Sequence, residues 1–129
     1  MFSLAFLYDY NTLDENINQW KEKKMAIEHA NDTNLSSMIS GGITLVDFWA
    51  TWCGPCRMFG PIFEQVSNQV PDVKFVKFEI DESNRRMPAQ YGIRSIPSVL
   101  AFKNGELVEA RAGLMDADTL LQWINELKG

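Results

Sequence analysis

"DFWATWCGPCRMF", residues 47–59, holds both cysteines of a 129-residue chain, Cys53 and Cys56, separated by Gly54 and Pro55. The overlapping run "ITLVDFWA" (43–50) is almost continuously apolar and β-branched or aromatic, which predicts a strand buried on both faces. Beyond the cysteines, Phe59, Ile62, Phe63, Val66 and Val70 recur at helical spacing, with a kink expected at Pro61. The two sulfurs therefore fall at a strand-to-helix turn. Cys53 would stand at the helix N-terminus, where unpaired backbone N–H groups and the positive end of the dipole favour a thiolate. A thiolate is the species that attacks a disulfide, so Cys53 is the candidate nucleophile. Cys56, one turn further in and nearer the core, is the candidate resolving thiol. Gly54 permits a tight entry and a close substrate approach, and Pro55 suits the first helical turn, where its missing N–H leaves nothing unpaired.

Other uses of such a pair fit less well. A tetrahedral zinc site needs four ligands, and the remaining soft candidate is a single histidine, His29; no metal is expected. A structural disulfide closing so small a loop would restrict the unfolded chain very little. Inert core cysteines do not require Gly-Pro between them and a tryptophan beside them.

Outward from the motif, strand and helix patterns alternate. "AIEHA" (26–30) reads as a short first strand and "NDTNLSSMIS" (31–40) as a polar-faced helix stopped by Gly41-Gly42. "VKFVKFEID" (73–81) alternates, with Val76, Phe78 and Ile80 on one face and Lys77 on the other. A short polar segment is expected from there to Tyr91-Gly92. "PSVLAF" and "ELVEARA" flank Lys103-Asn104-Gly105, and Asn-Gly is a strong hairpin signal. Asp116 caps a last helix that turns Leu120, Leu121, Ile124 and Leu127 inward, with Trp123 as an anchor. The sum is an α/β sandwich: a mixed sheet, parallel in its first half and antiparallel at its end, covered by helices.

Totals narrow the function. A chain of this length suits one compact domain, and its 46% hydrophobic and 22% charged residues are those of a globular protein. A net charge of −5 argues against nucleic acid or an anionic membrane as the main partner. The apolar start "FSLAFLY" (2–8) lacks the basic residue before it and the cleavage site after it that a secretory signal carries. A close cysteine pair without such a signal points to the cytoplasm and to redox or metal chemistry. Residues 1–24 read as an extension to a domain over 25–129. Thr12 and Glu15 form a capping box, and Leu13, Ile17 and Trp20 take helical spacing. Both an accessory extension and a docking or dimerising arm fit that segment.

"VDFWATWCGPCRMFGPIF" together with "YGIRSIPSVLAFKNGELV" resembles thioredoxin, and the likeness extends over essentially all of 25–129. It implies the thioredoxin fold, a three-layer sandwich, and a redox-active dithiol that reduces protein disulfides and passes electrons to client proteins. It also implies re-reduction by an NADPH-dependent thioredoxin reductase, with no cofactor bound by the chain itself, and a monomer. Position by position, Cys53 resembles the attacking thiol and Cys56 the buried resolving thiol. Trp52 resembles the exposed indole beside the site. Pro97 resembles the cis-proline facing the disulfide, which leaves the Ile96 backbone free for a substrate chain. Ala112 and Gly113 resemble the third substrate-facing loop.

Asp47 lies mid-strand in an apolar run. A carboxylate is costly to bury charged, so its pKa is expected to rise toward neutrality. Raised, it can take the Cys56 proton, and the resemblance assigns its counterpart that role, with Lys77 matching a nearby lysine. A buried carboxyl without a part in the chemistry, and a solvated strand-face lysine, are the plainer readings of these two. Arg57, after the second cysteine, fits either a charge that favours the thiolate or a solvated helix residue, the latter being the preferred reading; Trp49 reads as packing under the site, and the six methionines as filler. Departures from the family pattern are modest: "DESNRRMPAQYG" (81–92) is one residue longer than the pattern leads one to expect, Arg85-Arg86 is unusual, the segment after Val66 is shortened, and Ser98 replaces a threonine.

Overall fold

A computed structural model describes residues 27–129, so the amphipathic helix expected from Thr12 to the basic turn at 21–24, and the boundary at 24/25, lie outside the described residues. Strands β1 (Glu28–Ala30), β2 (Ile43–Trp49), β3 (Lys74–Glu79), β4 (Ser98–Lys103) and β5 (Glu106–Ala112) form one sheet in the order β1-β3-β2-β4-β5. β3 is parallel to both β1 and β2, while β4 is antiparallel to β2 and to β5. The expected mixed sheet is thus the observed one.

β2 is the central strand, and Thr44 to Phe48 are all buried. Its two faces feed two cores. On one side Leu45 packs with Phe59 and Phe63 from α2 (Gly54–Gln69) and with Leu120, Trp123 and Ile124 from α4 (Ala117–Lys128). On the other, Val46 and Phe48 pack with Leu35 from α1 (Leu35–Met38) and Met87 from α3 (Arg86–Gln90). Helices on both faces of the sheet complete the three layers.

Local chemistry explains the boundaries. α2 buries Cys56, Phe59, Phe63 and Val66, a single stripe at helical spacing, and it runs as one helix through Pro61. Asp116 caps α4 by accepting the Thr119 amide at 2.8 Å. The β4–β5 turn places Asn104 and Gly105 at φ 51° and 87°, the left-handed values that Asn-Gly adopts readily in a two-residue hairpin loop.

Two elements depart from the sequence reading. α1 spans only four residues, because the Asn31 side chain accepts the amides of Thr33 and Asn34 and holds them in a local turn. The segment read only as short and polar after Ile80 contains α3, whose cap comes from far away in sequence. Asp32 accepts the amides of Arg86 at 3.0 Å and Met87 at 2.9 Å, across 54 and 55 positions. Burial pushes the Asp32 carboxyl up, but these amide bonds outweigh it and hold it below the ordinary value. Asp32→Ala should therefore cost about 1 kcal/mol, the usual loss on removing a cap. Urea unfolding at pH 7 measures it, and exchange of the Met87 amide should quicken.

Candidate dithiol site

Cys53 is the N-cap of α2, with extended backbone (φ −94°, ψ 113°), and its Sγ accepts the Cys56 amide at 3.2 Å. The two cysteines are joined in a disulfide with Cα atoms 5.3 Å apart, well inside the range such a bond allows. Residual exposure is small for both, 5% for Cys53 and 3% for Cys56, so position rather than exposure separates them. Cys56 lies on the buried stripe of α2, three residues before Phe59. Cys53 lies outside the helix, next to Trp52, which is 74% exposed.

The remaining site residues come from loops that meet in front of Cys53. Ile96 and Pro97 are joined by a cis peptide bond, and the Ile96 carbonyl oxygen stands 3.8 Å from Cys53 Sγ. Gly113, at φ 99°, donates its amide to the Pro97 carbonyl at 2.8 Å, tying the end of β5 to that loop. Ala112 precedes it, paired with Ser98. A Cβ added at Gly54 would meet nothing within 4 Å, so the approach to the helix start is open. Leu114, like Trp52, is a large apolar side chain left exposed.

Asp47 and Lys77 come from the neighbouring strands β2 and β3. They are Cα partners in the β2–β3 pairing, with Val99 opposite Asp47 on β4. Asp47 is 1% exposed and neither carboxyl oxygen has a hydrogen-bond partner. Burial raises its pKa from 3.8 to about 7, against the opposing pull of the Lys77 charge. Lys77 Nζ lies 4.7 Å from the centre of the Trp49 ring, a cation–π contact, and makes no ion pair among the described residues. Lys77 lines a cavity of about 410 Å³ whose walls also include Ile27, His29, Trp49, Cys56 and Arg57. The Trp49 indole Nε1 is buried without a partner.

Arg57 is exposed, as a solvated helix residue would be, and is also tied to the chain before the helix. Its guanidinium donates from Nε at 3.3 Å and from Nη2 at 3.0 Å to the Thr51 carbonyl oxygen. The motif places Arg57 in the first turn of the helix; that it reaches back over the preceding loop depends on a turn geometry that residue spacing does not encode. Among the described residues no group of three or more His, Cys, Asp or Glu could hold a metal ion, and no helix is long and apolar enough to cross a membrane.

Comparison with known proteins adds a family. The model of a family described as Thioredoxin matches residues 26–126. A protein named Thioredoxin from Rickettsia prowazekii is 51% identical over 83 residues, covering 64% of this chain and 78% of its own length. Thioredoxin from Bacillus subtilis is 41% identical over 103 residues, or 79% of this chain and 98% of its own. Thioredoxin from Chlamydia trachomatis is 40% identical over 101 residues, or 78% and 97%.

Proposed function

This chain belongs to the thioredoxin family, and from that premise we propose how its residues divide the work of a protein-disulfide reductase. The reaction is thiol–disulfide exchange at Cys53 and Cys56. The observation that carries the division is the N-cap: Cys53 Sγ accepts the Cys56 amide at the positive end of α2, an arrangement that favours a thiolate there.

In the reduced protein, the Cys53 thiolate attacks one sulfur of a client disulfide. A Cys53–client disulfide forms, the client S–S bond breaks, and the other client sulfur leaves as a thiolate. Asp47 takes the Cys56 proton, directly or through water in the adjoining cavity. The Cys56 thiolate then attacks Cys53 Sγ, and the second client sulfur departs. Two electrons have passed to the client, and the protein is left with the Cys53–Cys56 disulfide seen here. Lys77 tempers the rise in the Asp47 pKa, which keeps that carboxyl able to lose and regain a proton near neutral pH. The client's extended chain lies against the Ile96–Pro97 and Ala112–Gly113 loops, with Trp52, Gly54 and Pro55 forming the near side.

Re-reduction belongs to an NADPH-dependent thioredoxin reductase, the compartment is the cytoplasm, and the working unit is a monomer. The functional domain is 25–129, with 1–24 an extension that the chemistry does not require.

Trapping tests the order of attack. Cys56→Ser should leave the first attack intact and block resolution, so client proteins accumulate as mixed disulfides with Cys53 that dithiothreitol releases. A Cys56→Ser chain that collected no such adducts, while Cys53→Ser did, would reverse the assignment.

A further inference from the structure

We propose that Arg57 is a positioning residue for the attacking cysteine, holding the loop that carries Trp52 and Cys53 from the first turn of α2. Two contacts from this one residue bracket that loop. Its backbone amide donates to the Cys53 carbonyl at 3.3 Å, on the helix side. Its guanidinium donates through Nε and Nη2 to the Thr51 carbonyl, on the strand side. Trp52 and Cys53 lie between the two anchor points. The same loop is closed from within by the Cys53 amide, which donates to the Ala50 carbonyl at 3.2 Å.

The loop needs such a tie because Thr51, Trp52, Gly54 and Pro55 are all exposed, and little packing fixes the path into the helix. Cys53 gains its thiolate-stabilising contact with the Cys56 amide only if it stays at the cap. A guanidinium is well shaped to hold it there, since two N–H groups in a rigid plane converge on one oxygen and set direction as well as distance. An ammonium on a flexible stem offers a point contact instead. Arg57 also lines the cavity beside Cys56, together with Lys77.

This role deepens the function proposed above and rests on Cys53 being the attacking thiol, but the state of the loop can be read without that premise. In the oxidised full-length chain, Arg57→Met keeps the aliphatic stem and removes both donors. Exchange of the Cys53 amide should then run about tenfold faster, the factor corresponding to roughly 1.4 kcal/mol of lost hydrogen bonding. Exchange of the Val76 amide, in the core of β3, should be unchanged. Insulin reduction, with insulin as the probe disulfide, should slow about 3- to 10-fold. Arg57→Lys should leave the Cys53 amide exchanging at least about threefold faster than in the native chain, because it restores charge without the fork. The proposal is overturned if Arg57→Met exchanges within twofold of native, or if Arg57→Lys restores native exchange, which would make the charge and not the fork the operative feature. If Cys53→Ser retained reductase activity, the assignment of the nucleophile would fall while the exchange result stood.

Discussion

Replacing Asp47 by Asn should stabilise the folded chain by roughly 4 kcal/mol at pH 8 and by almost nothing at pH 4. The carboxyl is 1% exposed, has no hydrogen-bond partner on either oxygen, and is raised by burial from 3.8 to about 7. An acid whose folded pKa stands above its unfolded value binds its proton more tightly in the folded state. Its contribution to stability is therefore fully present below about pH 4 and is lost as pH rises to about 7. About three pH units at about 1.4 kcal/mol each give the figure. Asn has nearly the same shape and no charge to desolvate. It leaves a polar group as poorly paired as the protonated acid does, so the two chains should match at low pH. Other carboxylates act in the opposite sense: Asp72 and Asp116 are held below their ordinary values by their hydrogen bonds to Lys128 and to Thr119. The quantity to plot is thus the difference between native and Asp47→Asn stability against pH, from urea unfolding of the oxidised forms. A difference that stayed flat from pH 4 to 8 would mean the carboxyl is not the strained acid described here. In turnover, the proton transfer proposed for Asp47 predicts that Asp47→Asn slows the release of client from its mixed disulfide.

Cys53→Ser should reduce insulin disulfides no faster than the uncatalysed exchange with dithiothreitol, the largest loss expected of any single change. A serine hydroxyl at the same cap has no accessible anion near neutral pH and cannot form the mixed disulfide through which electrons pass. The fold should tolerate it, because the disulfide it removes closes a loop of only a few residues and restrains the unfolded chain little. Loss of activity with an unchanged unfolding transition of the reduced protein is the expected pair of results. Retained turnover would remove the nucleophile from the scheme.

Much of this is legible in the sequence because the deciding signals are local. The apolar run into β2, the stripe of Phe59, Phe63 and Val66, the Asn104-Gly105 turn and the Asp116 cap each depend on residues a few positions apart. Cys53 and Cys56 are readable for the same reason. What escapes depends on contacts between distant segments. α3 is five residues long with Pro88 within it, and nothing near it in sequence reveals that Asp32 supplies its cap. The shortening of α1 turns on which amides the Asn31 side chain accepts. Lys77 can be placed on the strand face opposite Val76 and Phe78, but its seat over the Trp49 ring comes from the β2–β3 register. Arg57 escapes because exposure and solvation are different things: its guanidinium is exposed and still engaged with Thr51.

The central claim, that the Cys53–Cys56 couple works as a reductant of protein disulfides, is tested most directly by its reduction potential. Tryptophan fluorescence of the full chain, equilibrated in defined dithiol buffers, reports the fraction oxidised, with Trp52 exposed beside the disulfide. A potential on the order of −270 mV, the figure general to thioredoxins rather than one calculated from this geometry, is the expected result. The dithiol would then hold electrons it can give to clients. A potential of about −180 to −120 mV, the range of disulfide isomerases and oxidants, would contradict the account and make this chain a donor of disulfides instead.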